Sequence, residues 1–117
     1  MVYTAGSQAL AVLEMLVHLE DSDLLKHYHL IPVTFAESMV SVVDPKTLPP
    51  SWKRRPTPIS VRDIGDQWVA SNQSVVLQVP SAVIPGESNY LLNVLHPDFH
   101  KLAIGKARPY RFDQRLR

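Results

Sequence analysis

The 117-residue chain contains no cysteine. That excludes disulfides, thiolate nucleophiles and cysteine-ligated zinc together. Glycine is scarce too. The four glycines include none in dinucleotide-fold or P-loop spacing, so a glycine-rich phosphate cradle is not expected. No apolar run approaches a membrane span, and the N-terminus lacks the charged start and long apolar stretch of a signal peptide. The expected location is therefore cytoplasmic. Histidines are few and do not fall in metal-ligand spacing: His27 and His29 share a strand face with no carboxylate beside them. "HPDFHKL" pairs His96 with His100 but lacks the glutamate of a zincin helix, so no metal is expected. No G-x-S-x-G elbow surrounds Ser81 or any other serine.

What remains is an ordinary globular composition, 45% apolar, with enough residues for one hydrophobic core and one domain over 1–117. Acidic charge is almost confined to the first part of the chain. Residues 1–44 hold six carboxylates against Lys26 alone, whereas residues 45–117 hold eleven cations against five anions. Two basic clusters result, "KRR" at Lys53–Arg55 and the tail "KARPYRFDQRLR". Each reads plainly as a solvated loop or a terminus, or functionally as an attraction for an anionic partner. Both are short and lack interleaved aromatics, so nucleic-acid binding is not expected.

Along the chain, Val2–Thr4 reads as a short strand and Gly6 as a turn. Ser7 stands where an N-cap belongs, ahead of the helical run "QALAVLEMLVHLE". Apolar side chains occupy nearly the whole circumference of that run, which predicts a buried helix. "HYHLIPVTF" has strand composition with an edge or bulge at Pro32, and "MVSVVD" is a further short strand. Pro45–Pro58 carries five prolines and reads as an ordered connection anchored by Trp52. "SVRDIGDQWVASN" predicts a helix capped by Ser60, with Val61, Ile64, Trp68 and Val69 on one side and Gly65 weakening it. "SVVLQV" is the clearest strand, and the tail regains a strand around Tyr110–Phe112. Mixed elements without regular alternation predict an α+β fold with a mixed, mostly antiparallel sheet.

Two positions resist this bland description. Glu14 puts a carboxylate in an apolar helix, which is costly unless the charge is paired or used. Its plain reading is a pairing with His18 at i, i+4; its functional reading is a carboxylate in a partly dry cleft that stabilises positive charge. Ser81 directly follows Pro80 at the end of the clearest strand, as a turn residue or as part of a site. Asn89 and Asn93 read as braces for loop backbone.

Three segments in order, "VYTAGSQALAVLEMLVHL", "LQVPSAVIPGESNYLLNVLHPDF" and "YRFDQRL", resemble the RES domain family over almost the whole chain. The shared patterns are Y-[TS]-x-x-[ST]-x-A-L-A-x-L-E, V-P-S-A-[VL]-x-P-x-E-x-N-[YF]-L-[LI]-N and F-D-x-R-L. The resemblance implies an ADP-ribosyltransferase-like fold and a toxin of a toxin–antitoxin pair that cleaves the nicotinamide–ribose bond of NAD. It implies catalytic roles for Glu14 and Ser81, a pocket-lining role for Tyr3, and an Xre-type helix-turn-helix antitoxin as partner. The family arginine belongs to a G-x-R-W-N-like segment upstream of the tyrosine strand, for which this chain has no match. Neither Arg62 nor Arg108 sits in a motif that replaces it. The expectation is a chain shortened relative to the family, with weakened or lost activity. Two alternatives stand beside NAD degradation: a catalytically dead remnant that only binds the antitoxin, and a transferase that ADP-ribosylates a protein. An open strand edge at residues 1–5 also allows a homodimer.

Overall fold

A computed structural model describes residues 1–18 and 26–116. Its strands are β1 (Val2–Ala5), β2 (Tyr28–Leu30), β3 (Val33–Thr34), β4 (Val40–Val42), β5 (Val76–Pro80), β6 (Ser88–Leu92), β7 (Ala103–Ile104) and β8 (Arg108–Tyr110). Its α-helices are α1 (Gln8–His18) and α2 (Ile59–Ser71). The fold is α+β. The main sheet runs in the order β1-β6-β5-β4, antiparallel except for the parallel pair β4–β5. Two small antiparallel ribbons, β2–β8 and β3–β7, accompany it.

The core follows from β5 and β6. Val75, Val76, Leu92 and Leu102 are buried together, with Phe35, Met39, Tyr90 and Phe99 packed around them. Phe35 and Tyr90 meet with ring centroids 5.6 Å apart. A second aromatic cluster closes the β2–β8 ribbon, where the buried Phe112 takes the rings of Tyr28 and Tyr110 edge-on at 5.3 and 5.2 Å.

Several local readings hold and others shift. Ser7 caps α1, accepting the Leu10 amide at 3.1 Å. Pro32 interrupts the His27–Phe35 stretch and splits it into β2 and β3, which join different ribbons. The helix predicted from Ser60 starts at Ile59 with Pro58 in the cap position and no side-chain cap, so Ser60 lies inside the first turn. Proline suits that place because its fixed φ already fits a helix start. The tail strand lies two residues earlier than its composition suggests, at Arg108–Tyr110, because Phe112 turns inward to fill the aromatic cluster.

Helix α1 is far less enclosed than an all-round apolar composition predicts. Leu10 alone is fully buried, while Leu13, Met15 and Val17 leave 41, 40 and 59% of their surface open. One face lies over the sheet and the other is uncovered among the described residues. The last two residues of the predicted run, 19–20, fall outside the described part. Gly6 sets the entry to this helix. Its amide donates to Ser88 O at 2.9 Å, and a Cβ there would stand 2.9 Å from the same oxygen, so only glycine permits the approach.

Helix α2 is tied to the core strand by a short relay. The buried Trp68 indole donates to Ser74 Oγ at 2.8 Å, and Ser74 donates to Val76 O at 2.8 Å. Replacing Ser74 with Ala leaves the indole N–H without an acceptor. The expected cost is about 1–3 kcal/mol in urea unfolding, and Ser74→Thr, which keeps the hydroxyl, should restore most of it.

Candidate functional site

The site lies where three elements converge: β1, the sheet-facing side of α1, and the exit of β5. Tyr3 comes from β1, Glu14 from the second turn of α1, and Ser81 from the residue after β5. They lie 78 residues apart at most in the chain, and the antiparallel pairings β1–β6 and β5–β6 bring them together. Ser81 Oγ reaches Glu14 Oε1 at 3.4 Å.

The stronger partner of Glu14 is Asn89. Its amide donates to Oε1 at 2.8 Å and Oε2 at 3.0 Å, and also to Thr4 O at 3.2 Å. Asn89 is wholly buried on β6, and its Oδ1 has no hydrogen-bond partner among the described residues. The amide's orientation is thereby fixed, because reversing it would press Oδ1 against a carboxylate. An unsatisfied buried acceptor is a cost of about 1–3 kcal/mol that the fold carries to hold the carboxylate by both oxygens. The reading of Asn89 as a loop brace is corrected: it sits on a strand and clamps Glu14. Asn93 does brace a loop, accepting the Leu95 amide at 3.1 Å. The plain reading of Glu14 fails as well, since no hydrogen bond or ion pair joins it to His18 among the described residues.

Ser81 is a turn residue that also contacts Glu14. Its Oγ accepts the amides of Val83 and Ile84 at 3.1 and 3.2 Å, which makes it a turn residue, and the Ser81 amide extends the ladder to Glu87 O at 2.9 Å. Ser81 Oγ donates to Glu14, and 98% of the residue's surface is covered. Pro80 is the last residue of β5, and Gly86, at φ +86°, lies in the return into β6.

Tyr3 and Glu14 open on a cleft of about 910 Å³, within the range of small-molecule sites, whereas Ser81 and Asn89, which hold Glu14, are buried and not in its lining. Tyr3, Glu14 and His18 line one part of it, and the strand exit at Val79–Pro80 another. The Pro45–Pro58 connection contributes a further part of the lining, with Trp52 half-buried in it as expected of an anchor. The same connection brings Lys53, Arg54 and Arg55, and α2 adds Arg62 and Asp66. Arg108 is not in the lining. The "KRR" cluster, which reads equally well as a solvated loop, therefore belongs to the rim of the cleft. Burial and then the nearby Glu14 charge push the Tyr3 phenol up to about 12, with Arg55 pulling the other way. Tyr3 stays a neutral phenol at any physiological pH.

Comparison with known proteins places this geometry. The RES domain family model matches residues 1–113. The chain belongs to the RES domain family. It is 36% identical over 118 residues to "Toxin Res" of Yersinia enterocolitica, covering 99% of this chain and 77% of that protein. It is 38% identical over 116 residues to "Toxin Res" of Photorhabdus laumondii, covering 98% of this chain and 74% of that protein. A third relative is the "Prs ADP-ribosylating toxin" of Sphingobium sp. (strain YBL2), 34% identical over 118 residues, 98% of this chain and 73% of that one. In this RES domain the motif glutamate and serine touch, and the motif tyrosine lines the same cleft.

Two measurements test the arrangement. Asn89→Ala should cost about 1–3 kcal/mol. Asn89→Asp should cost more at pH 7, because two carboxylates then face each other, and its deficit against Asn89→Ala should shrink as pH falls toward about 4 and one of the pair takes up a proton. Thermal melts of both variants across that range check this. For Tyr3, labelled-tyrosine NMR should show a neutral phenol past pH 10, with ionisation only near 12. The folded phenol holds its proton where the unfolded one has lost it. Its contribution to stability is therefore complete below pH 10 and disappears as pH rises through 12. Glu14→Gln should lower the Tyr3 value toward 10.

Proposed function

We propose that this RES domain is a toxin that consumes NAD by breaking the bond between nicotinamide and ribose. The observation that carries the reading is Glu14, a carboxylate held by both oxygens on Asn89 and flanked by Ser81, at the wall of a dinucleotide-sized cleft. The name of the Sphingobium relative, an ADP-ribosylating toxin, supports NAD as the substrate.

The chemistry suits the residues. When the C1′–N bond breaks, its electron pair leaves with nicotinamide, which becomes a neutral pyridine. The ribose is left with oxocarbenium character. A fixed carboxylate beside that charge lowers the barrier electrostatically, and it costs no reorganisation because Asn89 and Ser81 already hold it. Glu14 also presents oxygens to the ribose hydroxyls. Tyr3, neutral and partly exposed at the cleft wall, offers its ring face to the nicotinamide or ribose. Ser81 positions Glu14. The acceptor of the ADP-ribosyl group is water, phosphate or a protein side chain.

A second reading rests on a different observation. The edge strand β1 and the open face of α1 expose Val2, Leu13 and Val17. Such a surface fits a bound protein, in the first instance an Xre-type antitoxin, with or without catalysis. Co-purification with a small helix-turn-helix protein and no NAD turnover would favour that reading alone.

The decisive experiment follows nicotinamide release from NAD by the chain and by Glu14→Gln. Release by the parent chain should fall at least about a hundredfold in kcat in the variant. Equal rates remove Glu14 from the mechanism. NAD labelled in the ADP-ribose part then identifies the acceptor: free ADP-ribose means water, its phosphorylated form means phosphate, and label on a macromolecule means transfer.

A further inference from the structure

We propose that Arg54, Arg55 and Arg62 form the subsite that holds the diphosphate of the dinucleotide. The proposal rests on the NAD reading above and gives its cleft a second, anion-binding end.

The first support is the arm that carries the arginines. Asp44 caps its opening turn through Lys46 N at 2.9 Å and Thr47 Oγ1, which donates to Asp44 O at 2.7 Å. Trp52 N then donates to Pro49 O at 3.0 Å and Arg54 N to Ser51 O at 2.9 Å. Five prolines between 45 and 58 further limit the backbone. Arg54 and Arg55 therefore project from a connection shaped by its own turns. Arg62 projects from the first turn of α2, where its amide donates to Pro58 O at 3.1 Å.

The second support is charge. Within the described residues the resolved ion pairs join Lys101 to Asp98 and Arg115 to Asp113, and no side-chain partner engages Arg54, Arg55 or Arg62. Lys53 is partly occupied, with its ammonium 5.3 Å from the Trp52 ring centre. Four exposed cations thus line a cleft whose carboxylates are Glu14 and Asp66, and Glu14 is held by Asn89. Guanidiniums without an internal partner in a cleft attract an anion. A diphosphate answers them with two adjacent groups, each suited to a guanidinium's paired N–H donors. Tyr3, Glu14 and the arm's arginines line one and the same cleft, so a ligand with its diphosphate on the arm can extend to Glu14. The concave, limited volume favours one dinucleotide over a polynucleotide lying in a groove.

The test combines binding and turnover on the full chain. Calorimetry with inorganic pyrophosphate and with ADP-ribose should show binding to the parent and loss of at least about tenfold in affinity in R54Q/R55Q and in R62Q. Adenosine, which lacks phosphate, should bind the variants as it binds the parent. In turnover the loss should fall on the KM for NAD, and the variants should lose much of the parent's rise in KM with salt. Arg108→Gln, outside the cleft, serves as the control for general charge loss. Unchanged pyrophosphate affinity, no pyrophosphate binding by the parent, or an equal effect of Arg108→Gln would each overturn the subsite. Pyrophosphate binding needs no catalysis. A parent that binds it through these arginines yet never releases nicotinamide keeps the subsite and rejects NAD cleavage; a parent that cleaves NAD with KM untouched in the variants does the reverse.

Discussion

Glu14 stands among alanine, leucine, methionine and valine on a short helix, and Asn89 is what makes that position tolerable. Two N–H···O contacts of 2.8 and 3.0 Å satisfy a carboxylate that the neighbouring side chains cannot. The same amide reaches Thr4 O on β1. One buried residue of β6 thereby fixes the helix, the edge strand and the candidate catalytic group relative to one another. Gly6 makes the geometry possible by letting the chain pass close against Ser88 before α1 begins. The sheet order β1-β6-β5 then sets Ser81 and Asn89 on the two arms of one hairpin, both facing the same helix.

The cleft lining combines groups of opposite character: the Glu14 carboxylate and a neutral phenol, and the cations Lys53, Arg54, Arg55 and Arg62, which have no ion-pair partners among the described residues. A ligand that carries developing positive charge at one point and fixed negative charge at another is matched by that polarity. Asn89, being neutral, holds the Glu14 carboxylate without cancelling its charge.

Much of this was readable before any coordinates. Glu14 and Ser81 stand out because each breaks a local pattern, a charge in an apolar helix and a serine after a strand-ending proline. Trp52 is legible because an indole in a proline-rich stretch needs something to pack on. Asn89 was misread because nothing local distinguishes an asparagine that braces a loop from one that reaches a helix 75 residues away. Strand β6 escaped notice for a related reason: "SNYLL" places a buried asparagine where a hydrophobic residue would have revealed the alternation. The burial of α1 was overstated because apolar composition on every face says nothing about how much neighbouring structure exists to cover it. Arg54, Arg55 and Arg62 were visible as charges, but their convergence depends on how the arm folds against α2, which no short-range pattern encodes.

The spacing of Glu14 and its clamp along the chain bears on how such a protein is made. During synthesis the glutamate leaves the ribosome early and Asn89 only after most of the chain has followed. Until β6 is in place, β1 has no partner and the carboxylate has no amide to hold it. The site is therefore an all-or-nothing product of nearly complete folding. A chain that is still emerging, or one cut before residue 89, contains the glutamate but not the geometry.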